Sequence, residues 1–367
     1  MKSRLLCESC DAEYSTSEAR WRCDCGGVLT LDFLARFPIK KIKERKPTLW
    51  RYREALPITD KTSIVTFEEG FTPLVEEDLF GNRVLLKQDH LFPSGSYKDR
   101  GATVLVSKIK ELGVQKVVED SSGNAGAAIA AYCAKASVDC HVYAPEKTSP
   151  GKLLQIKRYG AHLHLVKGNR EDTAEGALHQ AQRTYYASHY WNPFFFHGTK
   201  TCVLEIVEQL CWQPPDVLIV PVGNGTLLIG TYLGLTELQQ DDRISAIPKI
   251  IGVQAGLCAP LASAWEHQGM MEPCQRTKQT IAEGIAIPNP LRAKEILHAV
   301  KETKGAILAV NEQEILEALR MMHRKGYYIE PTSAVAVAAV KKIRFTHDDR
   351  VVIPLTGHGL KTTRISS

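Results

Sequence analysis

The sequence lacks any apolar run near the roughly 20 residues that a membrane-spanning helix needs. It also lacks a strong charge of one sign, because the net charge is only +5 over 367 residues. Internal repeats and low-complexity segments are absent as well. These absences argue against a membrane protein, a fibrous protein and a disordered chain, while 44% hydrophobic residues supply core for two domains.

Little in the sequence points to a nucleic-acid or membrane partner. The one basic run, residues 40–46, is interpreted as a solvated face or linker, with a polyanion site as the alternative. No signal-peptide core follows Met1, because charged residues and a cysteine pair come at once. We therefore expect a cytoplasmic protein that binds neither nucleic acid nor membranes.

Cysteine is the residue type whose distribution is most uneven. Four of the ten cysteines, Cys7, Cys10, Cys23 and Cys25, lie in the first 27 residues. Two short cysteine hairpins can present four thiolates tetrahedrally, which suits structural zinc and leaves no open position for catalysis. The second pair is C-x-C, so the alternative is a ribbon of reduced thiols. Either way, residues 1–35 are predicted to form a small cysteine ribbon.

Strand and helix signals alternate along the rest of the chain. Helical patterns occupy residues 97–112, 127–136 and 152–159. Short apolar or β-branched runs occupy residues 84–87, 117–118, 140–144, 162–166, 217–221, 250–253 and 351–355. This alternation predicts an α/β fold with parallel sheets flanked by helices.

Four segments of small polar residues interrupt this pattern. They are Ser-Tyr-Lys-Asp-Arg-Gly at 96–101, Ser-Ser-Gly-Asn-Ala-Gly at 121–126, Gly-Asn-Gly-Thr at 223–226 and Thr-Gly-His-Gly at 356–359. A lysine, two glycine-rich loops and a late Thr-Gly suit pyridoxal phosphate. Its aldehyde reacts with a lysine amine, and its phosphate binds N–H groups at a helix start. Alone, Lys98 would be interpreted as an exposed helix lysine, and either loop as a weak signal.

Together these segments resemble the fold-type II pyridoxal phosphate enzymes, and among them the threonine synthases. The closer likeness to threonine synthases lies in residues 49–57 and 354–361, while residues 69–74 resemble a turn shared by the whole superfamily. The resemblance implies a large cofactor-binding domain of residues 36–89 and 201–367, and a small α/β domain of residues 90–200. It also implies a lyase acting on a small amino acid, and we expect a homodimer.

The resemblance assigns roles to individual residues. The cofactor contacts are Lys98, Asn124, Gly223, Asn224, Gly225, Thr226 and Thr356. Lys98 is the catalytic residue, which binds the cofactor covalently and then removes the substrate's α-proton. Ser121, Ser122 and Gly123 are assigned to the substrate carboxylate. Thr356 is assigned to the pyridine nitrogen, where a neutral hydroxyl suits elimination and replacement reactions.

The sequence departs from threonine synthases where they bind the substrate's phosphate. Ala125 stands where Thr is usual, Phe195 near the expected Arg, and Leu227 in place of Asn. Either nearby cations such as Arg170 replace these ligands, or the substrate carries no phosphate. On the second interpretation Phe195 lines an apolar substrate pocket.

Thr-Ile-Ala-Glu-Gly at 280–284 instead resembles serine/threonine dehydratases. Glu283 is accordingly a candidate substrate contact, with a surface turn as the alternative. Three functions follow in order: a threonine synthase-like enzyme that converts O-phosphohomoserine to threonine, a dehydratase or ammonia-lyase for an unphosphorylated amino acid, and a scaffold protein.

Overall fold

The computed structural model describes residues 3–148, 150–168, 170–267, 279–346 and 348–362. Within these ranges, no helix combines the length and the apolar character needed to cross a lipid bilayer. Contacts divide the chain into two compact units. The first unit comprises Met1–Phe71 and Lys98–Thr201, and the second comprises Thr72–Tyr97 and Cys202–Ser367.

Strands and helices alternate through most of both units. The strands are β1 (Arg4–Cys7), β2 (Glu13–Ser15), β3 (Leu29–Asp32), β4 (Leu74–Leu79), β5 (Asn82–Lys87), β6 (Lys116–Glu119), β7 (Asp139–Pro145), β8 (His162–Val166), β9 (Tyr185–Tyr186), β10 (Val217–Pro221), β11 (Lys249–Ala255), β12 (Ala306–Val310) and β13 (Val351–Pro354). The α-helices are α1 (Ile39–Glu44), α2 (Lys98–Glu111), α3 (Asn124–Ala136), α4 (Pro150–Arg158), α5 (Arg170–Gln180), α6 (Pro193–Thr199), α7 (Thr201–Gln209), α8 (Thr226–Gln240), α9 (Pro260–Glu266), α10 (Ala293–Glu302), α11 (Glu312–Arg324) and α12 (Pro331–Ala338). Short 3-10 helices span Leu49–Ala55, Lys61–Ser63, Asp89–Leu91, Glu283–Ile285, Ala339–Lys342 and Gly359–Lys361.

The first unit contains two sheets. The N-terminal ribbon is antiparallel with strand order β2-β1-β3, and the larger sheet is parallel with order β8-β7-β6-β9. Strand β6 and helix α3 bury nearly all of their apolar side chains, as expected for a parallel sheet covered by helices. Ribbon residues Leu5, Trp21 and Leu29 belong to the same core cluster. The ribbon therefore packs as part of this unit.

Residues 36–71 group with the first unit, whereas the sequence prediction placed residues 36–89 in the large domain. Buried polar contacts to α2 explain this grouping. The Trp50 indole donates to Thr103 Oγ1 at 3.1 Å, and the Val65 N–H donates to Ser107 Oγ at 2.8 Å. Because buried hydrogen bonds are costly to break, they hold the entry segment on α2.

The second unit is built on one sheet with order β12-β11-β10-β13-β5-β4. Its pairs are parallel except β4–β5, a hairpin whose turn uses Phe80 and Gly81 at positive φ. Strands β10 and β13 are buried throughout. The predicted α/β fold with parallel sheets is thus confirmed, while the β4–β5 hairpin was not predicted.

Candidate active site

Lys98 begins helix α2, and the packing of that helix holds it in place. A Cβ on Gly101 would lie 2.3 Å from Cε1 of Phe195, and one on Gly198 would lie 2.1 Å from the Arg100 carbonyl oxygen. These glycines therefore allow α2 and α6 to approach very closely. The Lys98 Nζ atom lies 5.6 Å from the centre of the Phe195 ring. Phe195 itself is fully buried, and its assignment to substrate binding stays a prediction.

The three residues before Lys98 are hydrogen bonded to the closing segment of the second unit. The Tyr97 N–H donates to the Thr356 carbonyl at 3.0 Å, and Ser96 forms a β-bridge with Gly357. The His358 N–H donates to the Gly95 carbonyl at 2.9 Å. Because Lys98 directly follows Tyr97, these backbone hydrogen bonds fix the backbone that leads into Lys98.

Thr356 has a buried hydroxyl partner that the sequence analysis did not assign. Its Oγ1 atom lies 3.0 Å from Ser333 Oγ, and Ser333 also accepts the Gly357 N–H at 2.9 Å. A Cβ on Gly357 would come within 2.2 Å of a Glu330 carboxylate oxygen. The signal available in the sequence for this contact is the Glu-Pro-Thr-Ser segment at 330–333. Ser333 thus positions the Thr356 hydroxyl.

The Gly223–Thr226 loop joins β10 to the 15-residue helix α8. Gly225 is the N-cap residue with φ of +75° and offers no side chain to the first turn. A Cβ on Gly223 would lie 2.9 Å from the Ile285 Cα, so only glycine fits there without movement. A long helix whose first amides are not capped by a side chain suits the phosphate of pyridoxal phosphate. This loop therefore fits the predicted cofactor.

Glu283 lies in a 3-10 helix beside that loop. Ile285 of the same helix is the residue that contacts Gly223, and the Gly284 N–H donates to Thr332 Oγ1 at 3.2 Å. Glu283 itself is exposed. This position fits either a substrate contact or a surface turn, so its role in substrate binding stays a prediction.

The serine loop connects β6 to the 13-residue helix α3. The Gly123 N–H donates to Ser121 Oγ at 3.3 Å, and Gly123 is an N-cap residue without a side chain. A Cβ on Gly126 would lie only 1.7 Å from the Ser121 carbonyl oxygen. Glycine at 126 thus lets the loop fold tightly over the start of α3, where N–H groups can bind a carboxylate. Asn124 is the first residue of the helix.

Two buried carboxylates precede the serine loop and were not predicted as site residues. Glu119 Oε1 lies 3.0 Å from His189 Nδ1, and the Tyr190 hydroxyl donates to Asp120 Oδ2 at 2.8 Å. The other oxygens, Glu119 Oε2 and Asp120 Oδ1, have no hydrogen-bond partner within the described part of the chain. The available signal was a pair of acids ending an apolar strand.

The charge of Lys98 acts on this pair. Burial raises the pKa of Glu119 well above its usual value, the neighbouring Asp120 adds to the rise, and Lys98 opposes it. Burial lowers the pKa of His189 well below its usual value, and Lys98 lowers it further. A buried carboxyl–imidazole pair that interacts with the lysine can hold or release a proton near it.

The aromatic side chains of residues 190–196, which include His189's neighbour Tyr190, do not form one continuous wall. Trp191 packs edge-on against Trp21 of the ribbon at 5.5 Å, while the Lys108 Nζ lies 5.3 Å from the Phe194 ring centre. Tyr190 points its hydroxyl to Asp120. These side chains therefore pack against several different neighbours and do not line one pocket together.

The ribbon brings its four cysteines together. Their sulfur atoms lie within 4.8 Å of one another, with Cys7–Cys25 and Cys10–Cys23 each at 3.5 Å. Tetrahedral zinc with bonds of about 2.3 Å separates its sulfurs by about 3.8 Å, so the cluster fits zinc. A hydrogen bond from Tyr14 lowers the pKa of Cys23 to about 6, which favours its thiolate, while hydrogen bonds to Cys23 raise the pKa of Cys10 and of Cys25.

Removing zinc should reduce stability more than turnover, because the ribbon packs in the core of the first unit. We expect about one zinc per chain in protein purified under reducing conditions. Cys10→Ser should lower the urea midpoint of unfolding, since metal binding contributes directly to folding. Cys211→Ser, at an exposed cysteine outside the ribbon, is the control. If elemental analysis finds no zinc, the alternative of a ribbon of reduced thiols is the one that remains.

Acid should destabilise the second unit through His90. Burial, and then the charge of His358, lower the pKa of His90 to about 4 from an ordinary 6.5. Because the unfolded chain takes up this proton first, the stability that the neutral imidazole contributes is lost as pH falls from 6.5 toward 4. The urea midpoint should fall between pH 7.5 and 5, and less so in His90→Gln. Identical pH dependence in both proteins would contradict this assignment.

Comparisons with known proteins show the family of this chain. Residues 65–357 match a family described as pyridoxal-phosphate dependent enzyme. A threonine synthase from Methanocaldococcus jannaschii is 37% identical over 97% of this chain and 92% of the relative. One from Methanosarcina acetivorans is 34% identical over the same shares. A solved threonine deaminase structure, from T.th., aligns with a TM-score of 0.67 and 26% identity over 81% of this chain and 94% of that one. The chain therefore belongs to the pyridoxal-phosphate dependent enzymes, with threonine synthases among its relatives over nearly its whole length.

Proposed function

We propose that this protein is a threonine synthase that releases phosphate from O-phosphohomoserine and adds water to form threonine. The observation that carries the proposal is the 37% identity to a threonine synthase over 97% of the chain. Two features support the proposal: the glycine loop at the start of α8 suits the cofactor's phosphate, and the Ser333–Thr356 pair offers a hydroxyl for its pyridine nitrogen.

Bound pyridoxal phosphate stabilises negative charge that develops at the substrate's α-carbon. In our proposal Lys98 Nζ holds the cofactor, and the amides from Gly223 to Thr226 hold its phosphate. Asn124 contacts its ring hydroxyl. When Ser333 donates to Thr356, the Thr356 hydroxyl keeps its own proton for the pyridine nitrogen. A neutral hydroxyl at that position would suit elimination more than transamination.

The substrate's carboxylate is assigned to Ser121, Ser122 and Gly123, at the start of α3. A helix N-terminus with small residues favours an anion there because its amides are directed outward. Lys98 Nζ would be the group that accepts the substrate's α-proton. The buried Glu119–His189 pair, whose neutral forms burial favours, interacts electrostatically with that amine.

A second candidate is a dehydratase or ammonia-lyase for an unphosphorylated amino acid. Phe194, Phe195 and Phe196 are buried where threonine synthases are expected to place a phosphate-binding Arg. Arg170, a nearby cation, already interacts electrostatically with Asp120 and Glu119. Because a dianionic phosphate needs charge-assisted hydrogen bonds, these features favour a substrate without phosphate. The structural likeness to a threonine deaminase supports the same alternative.

A substrate panel separates these functions. The proposal expects turnover of O-phosphohomoserine with release of inorganic phosphate and formation of threonine. The second candidate expects ammonia and a keto acid from serine or threonine, with no competition by phosphate. Change in the cofactor's absorbance detects binding in either case. Absence of any response to the whole panel would favour the scaffold protein.

We also propose that the enzyme is a cytoplasmic homodimer, as expected from the sequence. Sedimentation equilibrium measures this directly. A single species at the 40.8 kDa mass of one chain would contradict the dimer.

A further inference from the structure

Strands β7 and β8 place three histidines and an aspartate on one face of the sheet. His141 and His162 are register partners, and Tyr143 pairs with His164. Asp139 lies two residues before His141, so it shares the same face, as do His162 and His164. Because alternate side chains of a strand lie on the same face, four potential metal ligands lie together on these adjacent strands.

The contacts among these side chains centre on the Asp139 carboxylate. Its Oδ2 atom lies 3.0 Å from His141 Nε2, and its Oδ1 atom lies 3.3 Å from His162 Nε2. One ligand atom from each of these three residues lies within 4.8 Å of the other two. The His141 and His162 rings are stacked with centres 4.7 Å apart.

We propose that Asp139, His141 and His162 bind a divalent transition-metal ion. Two imidazole nitrogens and one carboxylate suit zinc, nickel, copper or cobalt, whereas magnesium and calcium prefer oxygen alone. Small rotations of the stacked rings bring both Nε2 lone pairs onto one ion. The His162 side chain is 63% exposed, so the ion is reached from solvent and keeps water at its remaining positions.

His164 completes the site without binding the ion. Its Nε2 lies 2.8 Å from His141 Nδ1. When His141 carries its proton on Nδ1 and donates it to His164, the His141 Nε2 is left for the metal. Such outer hydrogen bonds orient metal-binding histidines and strengthen them as ligands.

The ion would link β8, an edge strand of its sheet, to β7. Lys116 is the cation that faces Asp139 from β6, with its Nζ 3.8 Å from Oδ2. This charge opposes a bound cation and lowers the affinity of the site. None of its residues belongs to the cysteine ribbon or to the set proposed to bind the cofactor.

Nickel titration of the cofactor-loaded protein tests the proposal. One equivalent of zinc per chain is added first, because four cysteine thiolates bind zinc more tightly than two imidazoles and one carboxylate, and elemental analysis afterwards verifies that this zinc is retained. Calorimetry should show one saturable nickel site per chain. His162→Gln and Asp139→Asn should each weaken it at least about tenfold, and His164→Phe by roughly 10–100-fold. Lys116→Met should tighten binding.

His179→Ala, at an exposed histidine on α5, is the matched control and should bind as the unmodified protein does. Circular dichroism and the bound cofactor's absorbance verify that each variant is folded. Absence of a saturable site in the unmodified protein would overturn the proposal. Unchanged affinity in His162→Gln, or weaker binding in Lys116→Met, would overturn it as well. None of these outcomes depends on which amino acid the enzyme uses.

Discussion

Replacing Lys98 by alanine should abolish the protein's covalent hold on pyridoxal phosphate and nearly all turnover. Lys98 is proposed both to bind the cofactor and to move the α-proton. Loss of a proton-transferring group alone costs roughly 10²–10⁴-fold in rate, and loss of covalent attachment adds to that. Gel-filtered Lys98→Ala should lack the visible absorbance of the unmodified protein.

Lys110→Ala is the matched control, because Lys110 lies on the exposed side of the same helix. It should retain both the absorbance and the turnover. Borohydride reduction followed by peptide mass spectrometry identifies the lysine that carries the cofactor. A cofactor adduct on any other lysine, or normal turnover by Lys98→Ala, would refute the assignment.

Gly225→Ala should weaken cofactor binding by about tenfold or more. Its φ of +75° is strained for alanine by roughly 1–2 kcal/mol. The added Cβ would also lie 2.4 Å from Cδ1 of Ile296. Relieving the backbone strain and the steric clash requires movement of the loop whose amides are proposed to hold the phosphate. Fluorescence titration of the apoprotein with pyridoxal phosphate measures the change.

Gly81→Ala separates loss of stability from loss of binding. Gly81 has a similar φ of +77°, but nothing lies within 4 Å of its added Cβ. Both variants should lose a comparable free energy of unfolding from backbone strain. Only Gly225→Ala should lose cofactor affinity. Equal affinity in the two variants would show that this loop does not bind the phosphate.

Much of the fold was predictable because its signals are local. Helix α2 was expected at residues 97–112 and spans Lys98–Glu111, and β8 was expected at the residues where it lies. The hairpin β4–β5 escaped notice because β4, Leu-Val-Glu-Glu-Asp-Leu, has only a short apolar start and then three acids in succession. Its position at the edge of the sheet tolerates that composition.

The domain boundaries were harder to predict from the sequence than the helices and strands. Trp50 and Val65 precede α2 by dozens of residues, yet they hydrogen bond to Thr103 and Ser107 on it. No local pattern indicates which partner a buried donor will find. The grouping of residues 36–71 with the first unit therefore depends on packing.

By itself, the sequence determined which contiguous segments carry the chemistry. These segments are the lysine at the start of α2, the two glycine-rich loops and the cysteine pairs. Each is recognised within a few residues, because local geometry requires those residue types at that spacing. The tertiary structure alone decided that Ser333 supports Thr356, that His189 reaches Glu119 across 70 positions, and that Asp139 meets His162. These pairs are far apart in sequence, and only the register of parallel strands and the packing of helices brings them into contact.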